Sequence, residues 1–519
     1  MRVLPASVLA AALATATLPA QLAGAYTVGL GGNYPNIAGA ITALVSSGVS
    51  GPVQFFVTTN DTGPWTIPAF LGQGAANPVS FEALGGPITI SGTQPVLTLS
   101  GCAFVTFRGF QGTFVGGTTN SFVISGSTTD CVFTGCDFRA SVVTTGVALF
   151  NFSGGSNCRI EDSTFGGAYE SLMAAVANTG TTVQRCRIIG GGWRILTAGG
   201  SNFTLVNNFI TGTSNYGINA GIPGTPTSGA GLKILHNSVH IVHPTSGSQY
   251  CSLRWYTNST TSEVKNNIFS DVFPTPSTTV FTMWCSGVLR PAQMNFNCLW
   301  SNQPGWVPVF ASTNQTFAQW QALGFDVNSV QADPQFVAPG ATPPDLHLLN
   351  TTPIANSGTF LVNVLTDIDQ VSRTPPVSIG AHEIDGVASY NVFGAGCPGT
   401  AGVPTNTASA PPQLGTAPTI TFGNLPFPFI AIAVLGVSNT SPLPLDLGFI
   451  GMPGCFLRVS LDSTLSVAGA GGSASFIFPI PNQLNLVGFT FYTQGIVLDP
   501  GLNPFGFSAS AAAQAIVGL

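Results

Sequence analysis

Charged side chains are scarce in this chain, and they gather in one stretch. Of 13 basic and 19 acidic residues, ten fall between Asp130 and Arg194. Glu161 and Asp162 lead that group, Arg185 and Arg187 follow one repeat length later, and His236 stands further on. These residue types fit a β-elimination, in which an arginine neutralises a substrate carboxylate while a base removes the adjacent proton. Glycoside hydrolysis instead needs two carboxylates at a fixed separation. The acid pairs nearest in sequence are Glu161 with Asp162, Asp367 with Asp369, and Glu383 with Asp385. For the last two pairs a turn or capping role is favoured. Asp162 with Arg185 is favoured as a solvated ion pair between neighbouring repeats, worth about 0–1 kcal/mol. His236, His240 and His243 have helical spacing but fall on a strand and turn, so a shared metal is not expected. Ca²⁺ takes about 6–8 oxygen ligands, and no run of carboxylates supplies them, so no cofactor is expected and Ca²⁺ is unsupported. Trp193, Trp255, Trp284, Trp300 and Trp306 are candidates for stacking on sugar rings, although packing explains most tryptophans.

The elements that position these residues follow from composition. Only 6% of the 519 residues are charged and 44% are hydrophobic, with 63 Gly and 38 Pro. Low charge and high apolar content exclude disorder, and many turn formers among Val, Ile, Phe and Thr indicate an all-β chain. Lys233 and Lys265 are the only lysines. No basic stripe exists for nucleic acid or for an anionic membrane surface. Arg2, an apolar stretch from Val8 to Leu18 and the small residues Ala23-Gly24-Ala25 read as a signal peptide over 1–25, cleaved after Ala25. No later apolar run has the roughly 20 residues of a membrane helix, so a secreted or cell-surface protein is expected. Oligomeric state is not legible.

A repeat dominates the middle of the chain. Its six positions are apolar, two variable, small polar, variable, apolar. It occurs from Val105, Phe133, Ile160, Val183, Leu205, Ile234, Val264 and Met294. The fourth position reads Arg108, Cys136, Ser163, Cys186, Asn208, Asn237, Asn267, Asn297. Asparagine tolerates the left-handed backbone of a tight bend, and its amide both donates and accepts. Coils stacked at about 4.8 Å would join the four asparagines into a hydrogen-bonded ladder. The expectation is a parallel β-helix, right-handed because parallel crossovers are. The third and fifth positions face outward, so Asp162 and Arg185 meet on adjacent coils with Glu161, Arg187 and His236 as wall candidates. Solenoid ends need caps. A helix after Pro35, stopped by Gly48, covers the first coil, and Thr316 starts a second helix that ends at Gly324.

Beyond this run Asp333-Pro334-Gln335-Phe336, Asp345-Leu346-His347-Leu348, Pro353-Ile354, Asp367-Ile368-Asp369, Arg373 and Ile379-Gly380-Ala381-His382-Glu383. That order resembles the closing segment of right-handed β-helix proteins of the pectate-lyase-like superfamily, with Thr352 and Gln370 departing from the usual Ser and Gly. The resemblance covers 26–386 and implies the fold and a polysaccharide partner. The hydrolase motifs of that superfamily are missing, as are its clustered acidic Ca²⁺ ligands.

Residues 394–519 form a second unit, nearly without charge, whose short apolar runs predict a small β-sandwich. Its Gly396-Cys397-Pro398-Gly399 and Gly451-Met452-Pro453-Gly454-Cys455 stretches resemble a C-terminal module of many exported proteins of environmental bacteria. Cys397 and Cys455 are its sole cysteines and are expected to pair. Cys131 and Cys158 occupy one column on adjacent coils, either as a disulfide or as stacked thiols. Cys102, Cys136, Cys186, Cys251, Cys285 and Cys298 have no assignable partner. The leading functional expectation is a non-catalytic exported β-helix that binds or scaffolds polysaccharide. The alternatives are a polysaccharide lyase or glycoside hydrolase acting along the wall, and an adhesin or envelope structural protein.

Overall fold

The computed structural model describes residues 20–114, 119–141, 146–167, 169–245, 250–274, 280–303, 307–349, 351–384, 388–440, 442–483, 486 and 488–518. The protein divides into two compact units, 1–383 and 384–519.

The first unit is a parallel β-helix. An eleven-stranded sheet takes one short strand from each coil, beginning with Leu22–Val28 and ending with Gln293–Asn295, and a seventeen-stranded sheet forms the remaining walls. Parallel pairing stacks equivalent side chains. Tyr26, Phe55, Phe81, Phe107, Phe133, Ile160, Val183, Leu205, Ile234, Val264 and Met294 form one inward column. The rings of Phe55, Phe81, Phe107 and Phe133 stack at centroid steps of 4.8, 5.1 and 5.6 Å. Those steps follow the strand spacing and let each ring bury the next.

The same register corrects one sequence assignment. Phe107, not Val105, pairs with Phe133, so Phe110 rather than Arg108 occupies the fourth position of its coil. Val105 and Phe110 satisfy the apolar ends of the pattern, whereas the true frame from Phe107 puts Phe110 at the small polar position and Gly112 at the last apolar one, so this coil departs from the pattern. The bend is also placed differently from the expectation. Left-handed φ values occur at the third position, in Gly109, Gly135, Asp162, Arg185, Asn207, His236, Asn266 and Phe296, and not at the ladder asparagines. The third residue turns the corner, which leaves the fourth free to point inward.

Asn208, Asn237, Asn267 and Asn297 are fully buried. Each Nδ2 donates to the next Oδ1, at 2.9, 3.0 and 3.1 Å, and Asn297 passes its last bond to Asp326 at 2.9 Å. The backbone N–H groups of Asn208, Asn237 and Asn267 also donate to the Oδ1 of the following rung. Asp326 ends the ladder and further accepts from Trp320 Nε1 at 2.8 Å, which ties the row to the second cap helix, Phe317–Ala322. Thr316 and Gln319 close a capping box on that helix. The first cap helix is Ile37–Ser47, started by Asn36 and stopped by Gly48.

Of the expected signal segment, residues 1–19 lie outside the described residues, while Leu22, Gly24 and Ala25 pair with Val49, Val53 and Gln54 within the first strand. Cleavage after Ala25 would leave only Tyr26, Thr27 and Val28 of that strand. Among the described residues, no helix is long and apolar enough to cross a membrane.

Cys131 and Cys158 are separate buried thiols, not the disulfide offered as one reading. Cys102 lies 4.0 Å from Cys131, so three thiols stack in a column. Parallel stacking keeps their Cβ vectors side by side, whereas a disulfide needs them to converge.

The second unit is a sandwich. Ser389–Phe393 pairs with Phe507–Ile516 in a five-stranded antiparallel sheet, and a three-stranded sheet faces it. Ile420 and Phe422 pack on Ala431, Ala433, Val467 and Val497 between the sheets. The Cys397–Cys455 disulfide, with Cα atoms 5.0 Å apart, covers the opposite face together with Met452, Leu457 and Tyr492.

Candidate functional site

The charged wall comes together as expected around Asp162 and Arg185. Both occupy the left-handed corner of adjacent coils, and Arg185 grips Asp162 with two parallel bonds, Nε to Oδ1 at 2.7 Å and Nη2 to Oδ2 at 2.9 Å. The carboxylate raises the Arg185 pKa. Glu161 accepts from Gln184 Nε2 at 2.8 Å, and Arg159 approaches it at 3.9 Å. Arg187 lies over the Phe209 ring at 4.9 Å and 3.8 Å from Asp369. Asp162, Arg185, Arg187, Ile368, Asp369 and Gln370 line an open cleft of about 310 Å³.

His236 shares the corner column but not the cleft. It is fully buried, its Nδ1–H donates to the Gly380 carbonyl at 3.2 Å, and its Nε2 accepts from Asn266 Nδ2 at 2.7 Å. Burial lowers its pKa well below the usual imidazole value. It is a neutral packing residue beneath the closing segment, which removes it from the wall candidates. His240 and His243 have partners of their own, Ser270 at 2.9 Å and Asp271 at 2.7 Å.

The closing segment lies against the corner column. Asn207 donates to Thr366 O and accepts from Arg373, while Asn266 contacts Thr359. Arg373 forms a buried pair with Glu383 at 2.6 Å, and Asp367 gathers the amides of Asp369, Val371 and Glu383. Asp367 and Glu383 thus have turn and clamp roles, while Asp385 lies outside the described residues. Gly380 has φ 105, and a Cβ there would meet Ile268 at 2.5 Å, so at this point glycine is what lets the segment approach the coil closely.

A second cluster, on the outer side of the wall, escaped the sequence. Parallel register stacks Asn219, Arg254, Trp284 and Phe310 in one column, in which Asn219 and Arg254 are buried and Trp284 and Phe310 half-buried. The Arg254 guanidinium sits over Tyr216 at 4.2 Å, Trp284 at 4.8 Å and Tyr256 at 5.0 Å. Trp284 stacks on Phe310 at 6.0 Å, and Trp193, 40% exposed, meets the edge of Tyr216 at 5.3 Å. Beside them Arg194 pairs with the buried Glu170 at 2.9 Å, and burial raises the Glu170 pKa. Glu170, Arg194, Tyr216, Tyr256 and Arg254 were not singled out from sequence, whereas Trp193 and Trp284 were. Trp255 points into the core, Trp300 is half-buried on another strand, and Trp306 lies outside the described residues.

No protein-family model and no curated protein matches the sequence. Among solved structures the chain is similar to a pectate lyase, with 11% identity and a TM-score of 0.42 over 67% of this chain and 90% of that one. An alginate lyase from a Paenibacillus species matches with 12% identity and a TM-score of 0.30, covering 53% and 97%. The enzymatically active domain of bacteriophage CBA120 tailspike protein 2 matches with 9% identity and a TM-score of 0.25, covering 92% and 76%.

Proposed function

We propose that this chain is an exported or cell-surface protein that binds an acidic polysaccharide along the outer face of its solenoid without cleaving it. The observation that carries the reading is the aromatic face around Arg254, which runs from Trp193 through Tyr216, Tyr256 and Trp284 to Phe310 on five successive coils. Trp193 is exposed and Trp284 and Phe310 are half-buried, so these three rings leave surface for sugar rings, while Tyr216, Tyr256 and Arg254 are buried among them and place a positive charge behind that surface, which suits a uronate. The absence of turnover is supported by the cleft. Arg185 is engaged with Asp162, Arg187 stands beside Asp369, and His236, a wall candidate from the sequence, is buried elsewhere. In this reading the C-terminal sandwich serves as an attachment module.

The test is electrophoresis of the purified chain through gels containing polygalacturonate, alginate or a neutral glucan. Uronate gels are expected to retard the wild type, and Trp193→Ala with Trp284→Ala to weaken retention about 2- to 10-fold per ring. Equal mobility in every gel would reject glycan binding and favour the envelope structural reading.

A further inference from the structure

Three side chains of the closing segment converge without an assigned role. His347, on the strand Asp345–Leu348, Asp369, in the turn after Asp367, and His382, beside Glu383, each offer one ligand atom, and the three atoms lie within 4.8 Å of one another. We propose that they bind a transition-metal ion of the Zn²⁺ class. The inference stands whether or not the solenoid binds a glycan.

The donor set points to this class. Two imidazoles and one carboxylate suit Zn²⁺ or Co²⁺, whereas Ca²⁺ requires an oxygen cage. Three protein donors leave one tetrahedral position open. The second observation is the support behind His347. Its Nδ1 bonds to the Asp345 carboxylate, which fixes the ring and aims Nε2 at Asp369 Oδ2, 2.8 Å away. A carboxylate behind a ligating histidine is the usual outer shell of a metal site, because it sets the tautomer and raises the basicity of the donor nitrogen. Arg187 approaches Asp369 through Oδ1 at 3.8 Å, and on Oδ2 the ion would take the place of the proton shared with His347 Nε2, which is released to solvent. The His382 ring stands edge-on to His347 with centroids 4.7 Å apart. Its Nδ1 accepts from the Leu348 N–H at 3.1 Å, which helps to hold the ring in place. The closing segment would then be pinned at three separate points of its chain by one ion.

The experiment uses the full chain, stripped with a chelator and titrated with Co²⁺ and then with Zn²⁺ against a chromophoric competitor. One Co²⁺ per chain is expected, with visible bands of a four-coordinate nitrogen and oxygen site and no thiolate charge-transfer band, which separates this site from the buried cysteines. His382→Ala and Asp369→Asn are expected to abolish the Co²⁺ spectrum while circular dichroism stays unchanged. Asp345→Asn removes only the outer carboxylate and is expected to weaken Zn²⁺ about 10- to 100-fold. An absent visible spectrum, a thiolate band, or Zn²⁺ affinity unchanged in folded His382→Ala and Asp369→Asn would overturn the proposal.

Discussion

In the N-terminal half of the solenoid, Cys136 and Cys186 aim Sγ at the carbonyls of Phe107 and Ile160, 3.7 and 3.5 Å away. In the C-terminal half, Asn208, Asn237, Asn267 and Asn297 aim Nδ2 at the equivalent carbonyls of Val183, Leu205, Ile234 and Val264, at 2.7–3.0 Å. One column therefore does the same task with two chemistries. The thiol is a weak donor that fills space, whereas the amide also accepts the backbone N–H of the preceding rung. The asparagine half is also the half on which the closing segment rests, through Asn207, His236 and Asn266. Where the ladder is continuous the corner residues serve packing. Where it stops, at Asp162 and Arg185, they are open to the cleft.

The comparison is tested most severely by removing the clamp. Arg373→Met leaves Glu383 buried without its ion partner and is expected to cost about 3–5 kcal/mol. Equilibrium denaturation should show the loss, and limited proteolysis should cut the closing segment before the N-terminal coils. Next in size, Asn237→Leu strands its neighbours' donors and acceptors in the core and should cost about 3 kcal/mol. A urea midpoint equal to the wild type would count against the ladder.

Asp326 provides a proton-linked check. Burial raises its pKa above the ordinary 3.8, despite donors from Asn297, Ser329 and Trp320. The folded state then holds this proton to higher pH than the unfolded state does. Its contribution to stability therefore declines as pH rises from about 4 through the raised value. Asp326→Asn, neutral throughout, is expected to show a shallower decline in melting temperature over that range, and an unchanged slope would remove Asp326 from the ladder's energetics. The smallest effect belongs to the other half. Cys186→Val removes only a weak donor at constant volume and should cost about 1 kcal/mol or less. A loss as large as that of Asn237→Leu would erase the distinction between the halves.

The inner columns were legible because they recur at a fixed place in a short pattern, as Asn208, Asn237, Asn267 and Asn297 do. Asp326 was not, since the last rung changes residue type and follows a helix. The aromatic face was hidden for a different reason. Asn219, Arg254, Trp284 and Phe310 share one column yet lie 11, 17, 17 and 13 residues after their own ladder asparagines, because the intervening turns differ in length. No fixed offset exists to find. The pairing of Asp162 with Arg185 was readable from the repeat, but the burial of His236 was not, because the segment that covers it arrives from Thr359 to Glu383. His347, Asp369 and His382 likewise appear in the sequence only as parts of three separate motifs.

The most direct test of the account follows binding and turnover on the same samples. The wild-type chain is incubated with the uronate that retards it most, and both unsaturated-product absorbance and reducing ends are recorded over time. The account predicts retention with neither signal rising above a protein-free control. Turnover that disappears in a folded Arg185→Ala variant would contradict it and place an enzyme site in the Asp162 cleft.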